Sequence, residues 1–339
     1  IAFYSNEKVV LGKSACYITP RHELNNIFLY YSLQTPKIGS YFLSELTGST
    51  IKNLSLKTIR ETAFNLPPDK KGLEQQKIAS CLSSLDELIA AHSQKLDLLK
   101  NHKKGLMQNL FPQGGKSVPK FRFPEFENDG DWVEKKLGEV YSFLVTNSFS
   151  RALLNYEDGE VKNIHYGDIH TKFCTLFDIS REDVPYINSD VSIEKIREEC
   201  YCQEGDMIFA DASEDLNDIG KSIEIVNLNG ELLVSGLHTL MARQVERKLE
   251  IGFGGYLFKS DWIRKQIQRE AQGAKVLGIS TGRIAKIKIS FPRNPKEQQK
   301  IASCLSAVDE LITAQAERIA QLQQHKKGLM QGLFPKMEG

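Results

Sequence analysis

Apolar residues recur in steps of four and three over two long stretches of this chain. In the first, the seam runs through Ile78, Leu82, Leu85, Ile89, Leu96, Leu99, Leu106 and Leu110. In the second it runs through Ile301, Leu305, Val308, Ile312, Ile319, Leu322, Leu329 and Leu333. This is a heptad seam and predicts one long helix in each stretch. The stretches are copies: between 74–112 and 297–335, at a fixed offset of 223 residues, 26 of 39 positions are identical. His92 and Lys103 interrupt the first seam where Gln315 and Lys326 interrupt the second. From Gln75 to Leu110 the rod is roughly 54 Å long. Asn294 as cap, Pro295 in the first turn and the acid Glu297 predict the start of the second helix. Gly72 offers the first helix a weaker start, and Pro112 and Pro335 close the two helices.

Each helix carries one apolar stripe that needs a cover, and the other copy is the nearest one. Two similar units packed about a pseudo-twofold axis predict an antiparallel pair. The chain between the copies is long enough for a parallel pair, so connection length alone leaves that alternative open. In the antiparallel pair His92 and Gln315 meet near mid-helix. They read as a polar layer fixing register or, alternatively, as a ligand or proton switch.

Outside the helices the pattern is shorter. Residues 1–68 read as a partial globular unit, and Ile1 opens it in mid-pattern, as a fragment would. Residues 8–17 suggest a strand and turn, 26–34 an aromatic helix, 47–55 a turn and a short polar element, and 63–66 a strand. Residues 113–131 read as a linker pinned by Phe121, Phe123 and Phe126. Residues 132–293 form a second globular unit. Its expected strands are 140–143, 160–164, 207–210 and 284–291, with a basic helix at 259–269 and a glycine-pinned loop at 273–280. The segment from Thr47 to Pro68 aligns with that from Gln272 to Arg293, placing Gly48 on Gly273 and Ser55 on Ser280. Residues 1–68 therefore correspond to the back half of a domain that 132–293 show whole. The expected order is a partial first domain (1–68), a helix (69–112), a linker (113–131), a second domain (132–293), a helix (294–335) and a tail (336–339). The fold class is α+β, with globular domains alternating with two long helices that pair as an antiparallel coiled coil.

Composition narrows the function. A formal net charge of +1 means that any basic surface is local. No apolar run is long enough to cross a membrane, and no signal-peptide pattern opens the chain. Of the six cysteines, Cys200 and Cys202 form a lone C-x-C without a second pair, which reads as reduced thiols rather than zinc ligands. Together these point to the cytoplasm.

Two related heads on a rod make a caliper, and the rod spans at most about 16 base pairs of duplex. A structural scaffold or a protein–protein spacer fits the rod equally well. Interleaved aromatic and polar donors single out Tyr166, His170, Thr171, Lys172, His238 and Lys275 as candidates for DNA contact. Core packing is the alternative for Tyr166, and an internal histidine for His238. Asp211, Glu214 and Asp215 read as a solvated acidic loop, with a metal cluster as the alternative. The chain carries no Walker A motif, methyltransferase motif or nuclease-like acidic set. Beside the seams, Asp86, Glu87 and Lys104 recur as Asp309, Glu310 and Lys327. Two equal docking sites for two copies of one partner would explain this, as would a duplication with little drift.

Several motifs in order carry a resemblance. Leu66-Pro67-Pro68 is followed by EQQKIASCLSSLDELI, and HKKGLMQxLFP ends both helices. PKFRFPEF precedes Trp132, and GDMIFADASED and SGLHTLMAR lie inside the second head. The chain resembles the specificity subunit of bacterial type I restriction-modification systems over nearly its whole length. Here the front half of the first target-recognition domain is lacking. The resemblance implies two target-recognition domains, each reading half of a bipartite, non-palindromic site in double-stranded DNA. It implies helices that dock two DNA methyltransferase subunits, with restriction subunits joining through them and no membrane partner. This chain would be non-catalytic and hold no cofactor; S-adenosylmethionine, ATP and Mg would belong to the partner subunits. The alternative is a truncated regulatory or decoy subunit that binds methyltransferase partners without reading a complete site.

Overall fold

The structure is a computed structural model describing all residues except 5–7, 13–14, 22–23, 49–51, 69–70, 115 and 335–339. Pro335, the tail 336–339 and part of the 47–55 turn thus lie outside the described residues. The chain divides into two compact units, Ile1–Leu99 with Leu311–Gly339, and Lys100–Glu310.

In the first unit, α1 (Asn26–Ser32), α2 (Pro36–Ser44) and α3 (Leu56–Arg60) precede α4 (Leu73–Leu110), which continues into the second. Asn25 caps α1 by accepting from the amides of Ile27 and Phe28. Pro36 opens α2, and Ser55 caps α3 through the Thr58 amide. Phe28, Tyr31, Ile78, Leu82 and Met330 form the core here. The strand expected in residues 8–17 is absent among the described residues: that stretch is exposed, with Val10 98% accessible. Its weak alternation has no apolar surface to lie on. The strand expected at 63–66 is absent too: among the described residues no strand pairs with it, and a strand needs a partner for its amides and carbonyls.

The second unit holds the sheets. In chain order its elements are β1 (Val133–Lys136), α5 (Leu137–Val140), β2 (Tyr141–Leu144), β3 (Leu154–Asn155), β4 (Val161–Ile164) and α6 (Tyr166–Thr171). There follow β5 (Leu176–Asp178), β6 (Tyr186–Ile187), β7 (Met207–Ala210), β8 (Ala212–Ser213), β9 (Ser222–Asn227), β10 (Leu232–Ser235) and β11 (Thr239–Gln244). Last come α7 (Phe253–Leu257), α8 (Asp261–Glu270), β12 (Leu277–Gly278), α9 (Thr281–Ile284), β13 (Lys288–Phe291) and α10 (Pro295–Leu333), most of which passes into the first unit. A five-stranded sheet runs β2-β11-β7-β9-β5 and a four-stranded sheet β10-β4-β6-β3. Residues of β7 are buried throughout, so this strand reads as a continuous apolar run without alternation. Two expected strands begin later than the sequence suggested. Val140 ends α5 before β2, and Ile284 ends α9 before β13.

The repeat reaches into the heads. At an offset of 225 residues, α1, α2 and α3 fall on α7, α8 and α9. The isolated bridge Thr47–Asn53 falls on the bridge Gln272–Gly278. Gly48 and Gly273 both take positive φ, 107° and 129°, a backbone that glycine alone adopts without strain.

The long helices pair antiparallel. In the first unit Gln315 Nε2 lies 2.6 Å from His92 Nδ1 and 2.8 Å from the His92 carbonyl. That joins the two polar interruptions expected to meet. Ile78, Leu82, Leu85, Ile301, Leu305, Val308 and Leu322 are buried, while Ile89, Leu96, Leu99, Ile312 and Ile319 are half-buried. Asn294 caps α10 by accepting from the Lys296 amide at 3.0 Å. Glu297 turns inward instead of closing a capping box, and is fully buried. It takes two hydrogen bonds from Arg122, at 2.8 and 2.7 Å, and one from Trp132 Nε1 at 3.2 Å. This pair anchors residues 113–131 to the helix start. Phe126 is buried and Phe123 packs on the core, whereas Phe121 stays exposed.

Candidate nucleic-acid interface

The second unit gathers rings and cations where β4, α6, β8 and the turn before β11 meet. β4 ends at Ile164 and delivers His165 as the cap of α6, its Nδ1 accepting from the Gly167 amide at 3.1 Å. Burial and the neighbouring Arg151 lower the His165 pKa, so the ring is neutral near pH 7 and free to act as this cap. Tyr166 stands at the centre of a ring cluster. Its centroid lies 4.7 Å from His165, 5.3 Å from His238 and 6.1 Å from His170. His238 sits at φ 56° beside β11, with Nδ1 3.2 Å from Asp211 Oδ1. Its side chain is half exposed, so it is not an internal histidine. His170 Nε2 lies 3.1 Å from the Ala212 carbonyl, and His170 Nδ1 is buried without a partner.

Cations flank the rings. Arg151 Nη2 donates to Asp168 Oδ1 at 2.8 Å and Nη1 to the Tyr156 hydroxyl at 3.1 Å. Lys172 Nζ donates to the same hydroxyl at 2.9 Å and lies 4.7 Å from that ring's centroid. That hydrogen bond raises the Lys172 pKa, so the ammonium stays charged. The side chains of Arg151 and Lys172 are both 44% exposed, open enough to reach a phosphate. Thr171 is exposed, its hydroxyl bonded back to the Gly167 carbonyl at 2.9 Å. Lys275 is exposed on the turn before β12, and Gly278 of β12 pairs with Ala212 of β8. The candidate residues thus gather on elements around β8. Sequence reasoning missed Arg151, Tyr156 and His165. His165 lies in the same run, Ile164 to His170, as the candidates Tyr166 and His170, and nothing in the spacing marked the other two.

The acidic loop is organised by its own turns. The Asp215 amide donates to Ser213 Oγ and the Asn217 amide to Asp215 Oδ1. Among the described residues no group of three metal-ligating side chains converges.

On the helices, the structure corrects one reading. Asp86 and Asp309, docking candidates beside the seams, are each engaged within the chain. In the first unit Asp86 accepts from the Tyr31 hydroxyl at 2.7 Å and from Lys326, whose Nζ lies 5.1 Å from the Tyr31 centroid. In the second, Asp309 accepts from the Tyr256 hydroxyl at 2.9 Å and from Lys103 at 2.7 Å, with Nζ 5.4 Å from the Tyr256 centroid. Burial, then the adjacent aspartate, raises the pKa of both phenols. Lys103 and Lys326, which interrupt the seams, are thus the partners of Asp309 and Asp86. Glu87, Lys104, Glu310 and Lys327 remain exposed, and so do the matched leucines Leu88 and Leu311.

Repeated head elements on paired helices define a duplicated α+β binding scaffold. A family model described as the type I restriction modification DNA specificity domain matches residues 1–101 and 129–324, and the chain belongs to that family. It is similar to the type I restriction enzyme MjaVIII specificity subunit of Methanocaldococcus jannaschii, 26% identical over 337 residues, covering 96% of this chain and 74% of the relative. The putative MjaX specificity subunit of the same organism is 24% identical over 339 residues, covering 97% and 73%. Among solved structures, the type I restriction-modification S subunit from M. genitalium aligns with a TM-score of 0.56 at 15% identity, covering 93% of this chain and 74% of that one. A second, from work on assembly and conformational transition of the type I R-M system, gives 0.55 at 16%, covering 91% and 70%. These likenesses show the shared fold. No helix among the described residues is long and apolar enough to cross a membrane.

Proposed function

We propose that this chain is the non-catalytic DNA-recognition subunit of a cytoplasmic type I restriction-modification complex. The observation that carries the reading is the ring-and-cation cluster of His165, Tyr166, His170 and His238 beside Arg151 and Lys172, in a chain of the DNA specificity family. Clustered rings and half-exposed cations suit a duplex whose phosphates fix position and whose base edges are read between them. Two related heads would read a bipartite, non-palindromic site. The exposed pairs Glu87/Glu310, Lys104/Lys327 and Leu88/Leu311 would seat two methyltransferase subunits, equal surfaces taking equal partners. Restriction subunits would join through these, and S-adenosylmethionine, ATP and Mg would be bound by the partners.

Fluorescence anisotropy over a salt series tests the interface, with the methyltransferase partner present. Lys172→Ala should weaken duplex binding and reduce the salt slope by about one. Unchanged affinity and slope would place Lys172 off the DNA.

A further inference from the structure

The second unit carries a basic groove outside the ring cluster, between the β1–β13 ribbon and α8. In the ribbon Lys136 stands opposite Lys288, and both are exposed. Like charges directly opposite on a ribbon repel, and Glu134 offsets one of them by accepting from Lys288 Nζ at 2.7 Å. Gln266 fixes α8 to the ribbon. Its Nε2 donates to the Lys288 carbonyl at 2.8 Å, and its Oε1 accepts from the Lys288 amide at 2.9 Å. The groove has a volume of about 410 Å³ and is lined by Trp262, Gln266, Arg269, Lys286 and Lys288 among others. Its acids are taken up, Glu134 by Lys288 and Glu270 by Arg283 at 3.3 Å. Arg269, Lys286 and Lys136 are exposed and have no ion pair among the described residues. In a chain of formal net charge +1, three uncompensated cations around one groove make a local anion-attracting surface.

Position and repeat together choose the anion. Arg269 is three residues from Gln272, which bridges Gly278. Gly278 pairs with Ala212 of β8, whose carbonyl meets His170 of the ring cluster. The α-carbons of Arg269 and Ala212 are therefore at most about 22 Å apart, the rise of about six base pairs. Exposed Lys275 stands on the chain between them. The groove is also not repeated. At the offset of 225 residues, Trp262, Gln266, Arg269, Lys286 and Lys288 fall on Lys37, Tyr41, Ser44, Glu61 and Ala63. A dock for two equal protein partners would recur in both units, whereas a duplex crossing one head needs no such match.

We propose that this groove holds the phosphate backbone of the bound duplex, beyond the bases that the ring cluster reads; this rests on DNA recognition by that cluster. Arg269 and Lys286 would each meet a phosphate, and Lys136 would extend the path along the ribbon. Such contacts fix register and carry no base information. They raise affinity for every sequence alike and leave the choice of motif to the ring cluster.

Arg269→Ala with Lys286→Ala, in the full chain assembled with its methyltransferase, tests this on a long duplex by anisotropy over a salt series. Affinity should fall about tenfold for every sequence, and the salt slope should drop by about two. The motif selected from random duplexes should stay the same. Arg269→Lys with Lys286→Arg should keep the slope, which separates lost charge from lost fold. Unchanged affinity and slope in the alanine variant would overturn the proposal, and so would an altered motif. Unchanged DNA binding with fewer methyltransferase subunits retained in native mass spectrometry would also overturn it, because the groove would then hold an acidic protein surface. A parent that binds no duplex would overturn the DNA-recognition reading as well, so the two failures are told apart by the parent alone.

Discussion

Glu297→Gln is the most informative single perturbation of the fold. The native carboxylate is fully buried and accepts three hydrogen bonds, two from the Arg122 fork and one from the Trp132 indole. The two side chains are 10% and 1% exposed, so solvent screens the pair little. Glutamine keeps the shape and one acceptor oxygen but leaves the guanidinium without a counter-charge. Breaking a buried pair from one side costs about 3–5 kcal/mol, and the retained acceptor places this variant at the lower end, about 3 kcal/mol. For a unit of this size that corresponds to a fall in melting temperature of about 6–12 °C. Trp132 touches the lesion, so in a Trp262→Phe background tryptophan fluorescence during thermal unfolding reports the site itself. A double-mutant cycle separates pairing from packing. Arg122→Met should cost about 2 kcal/mol less in the Glu297→Gln background than in the parent. A melting shift under about 1 °C, or strict additivity of the two changes, would refute the reasoning.

Two further outcomes follow from the same structure. Asp86→Asn and Asp309→Asn should each destabilise by about 1 kcal/mol and should match one another, since each removes one tyrosine–aspartate–lysine set that is partly exposed; unequal losses in urea denaturation would deny the equivalence of the two sets. Burial pushes the Glu224 pKa up to about 7, against the amides of Gly255 and Gly252 that favour the charged form. The folded state therefore binds this proton more tightly than the unfolded chain. Its contribution is fully present below about pH 4.3 and is lost as pH rises through about 7, a change on the order of 3 kcal/mol. The stability of Glu224→Gln relative to the parent should rise over that window, and a constant difference would show that Glu224 does not titrate there.

What the sequence made legible follows from periodicity. A heptad seam marks which stripe of a helix is covered, so α4 and α10 could be read directly, while the meeting of His92 with Gln315 needed the pseudo-twofold argument as well. A second offset, 225 residues instead of 223, carried the repeat past the helices to Gly48 and Gly273. The seam does not show what a head lays against the rod beside it. Tyr31 and Tyr256 arrive from 55 and 53 residues away, and they turn Asp86 and Asp309 from docking candidates into internal partners. The strand at 63–66 failed for a related reason, because alternation predicts a strand only where another strand receives it. Local interleaving singled out Tyr166, His170 and Lys172 as candidates, and the structure places them along and just after α6. Arg151 and Tyr156 come from a turn earlier in the chain, and they join only through Asp168 and a shared phenol.

We propose that the cluster around Tyr166 recognises DNA by sequence. Its most direct test is selection from a pool of random duplexes by the chain assembled with its methyltransferase, followed by sequencing of the bound fraction. The account predicts a defined enriched motif for the parent and loss of at least one half of that motif for Arg151→Ala with Tyr166→Ala. Bound duplexes with no enriched motif, or a motif left whole by the double variant, would contradict it.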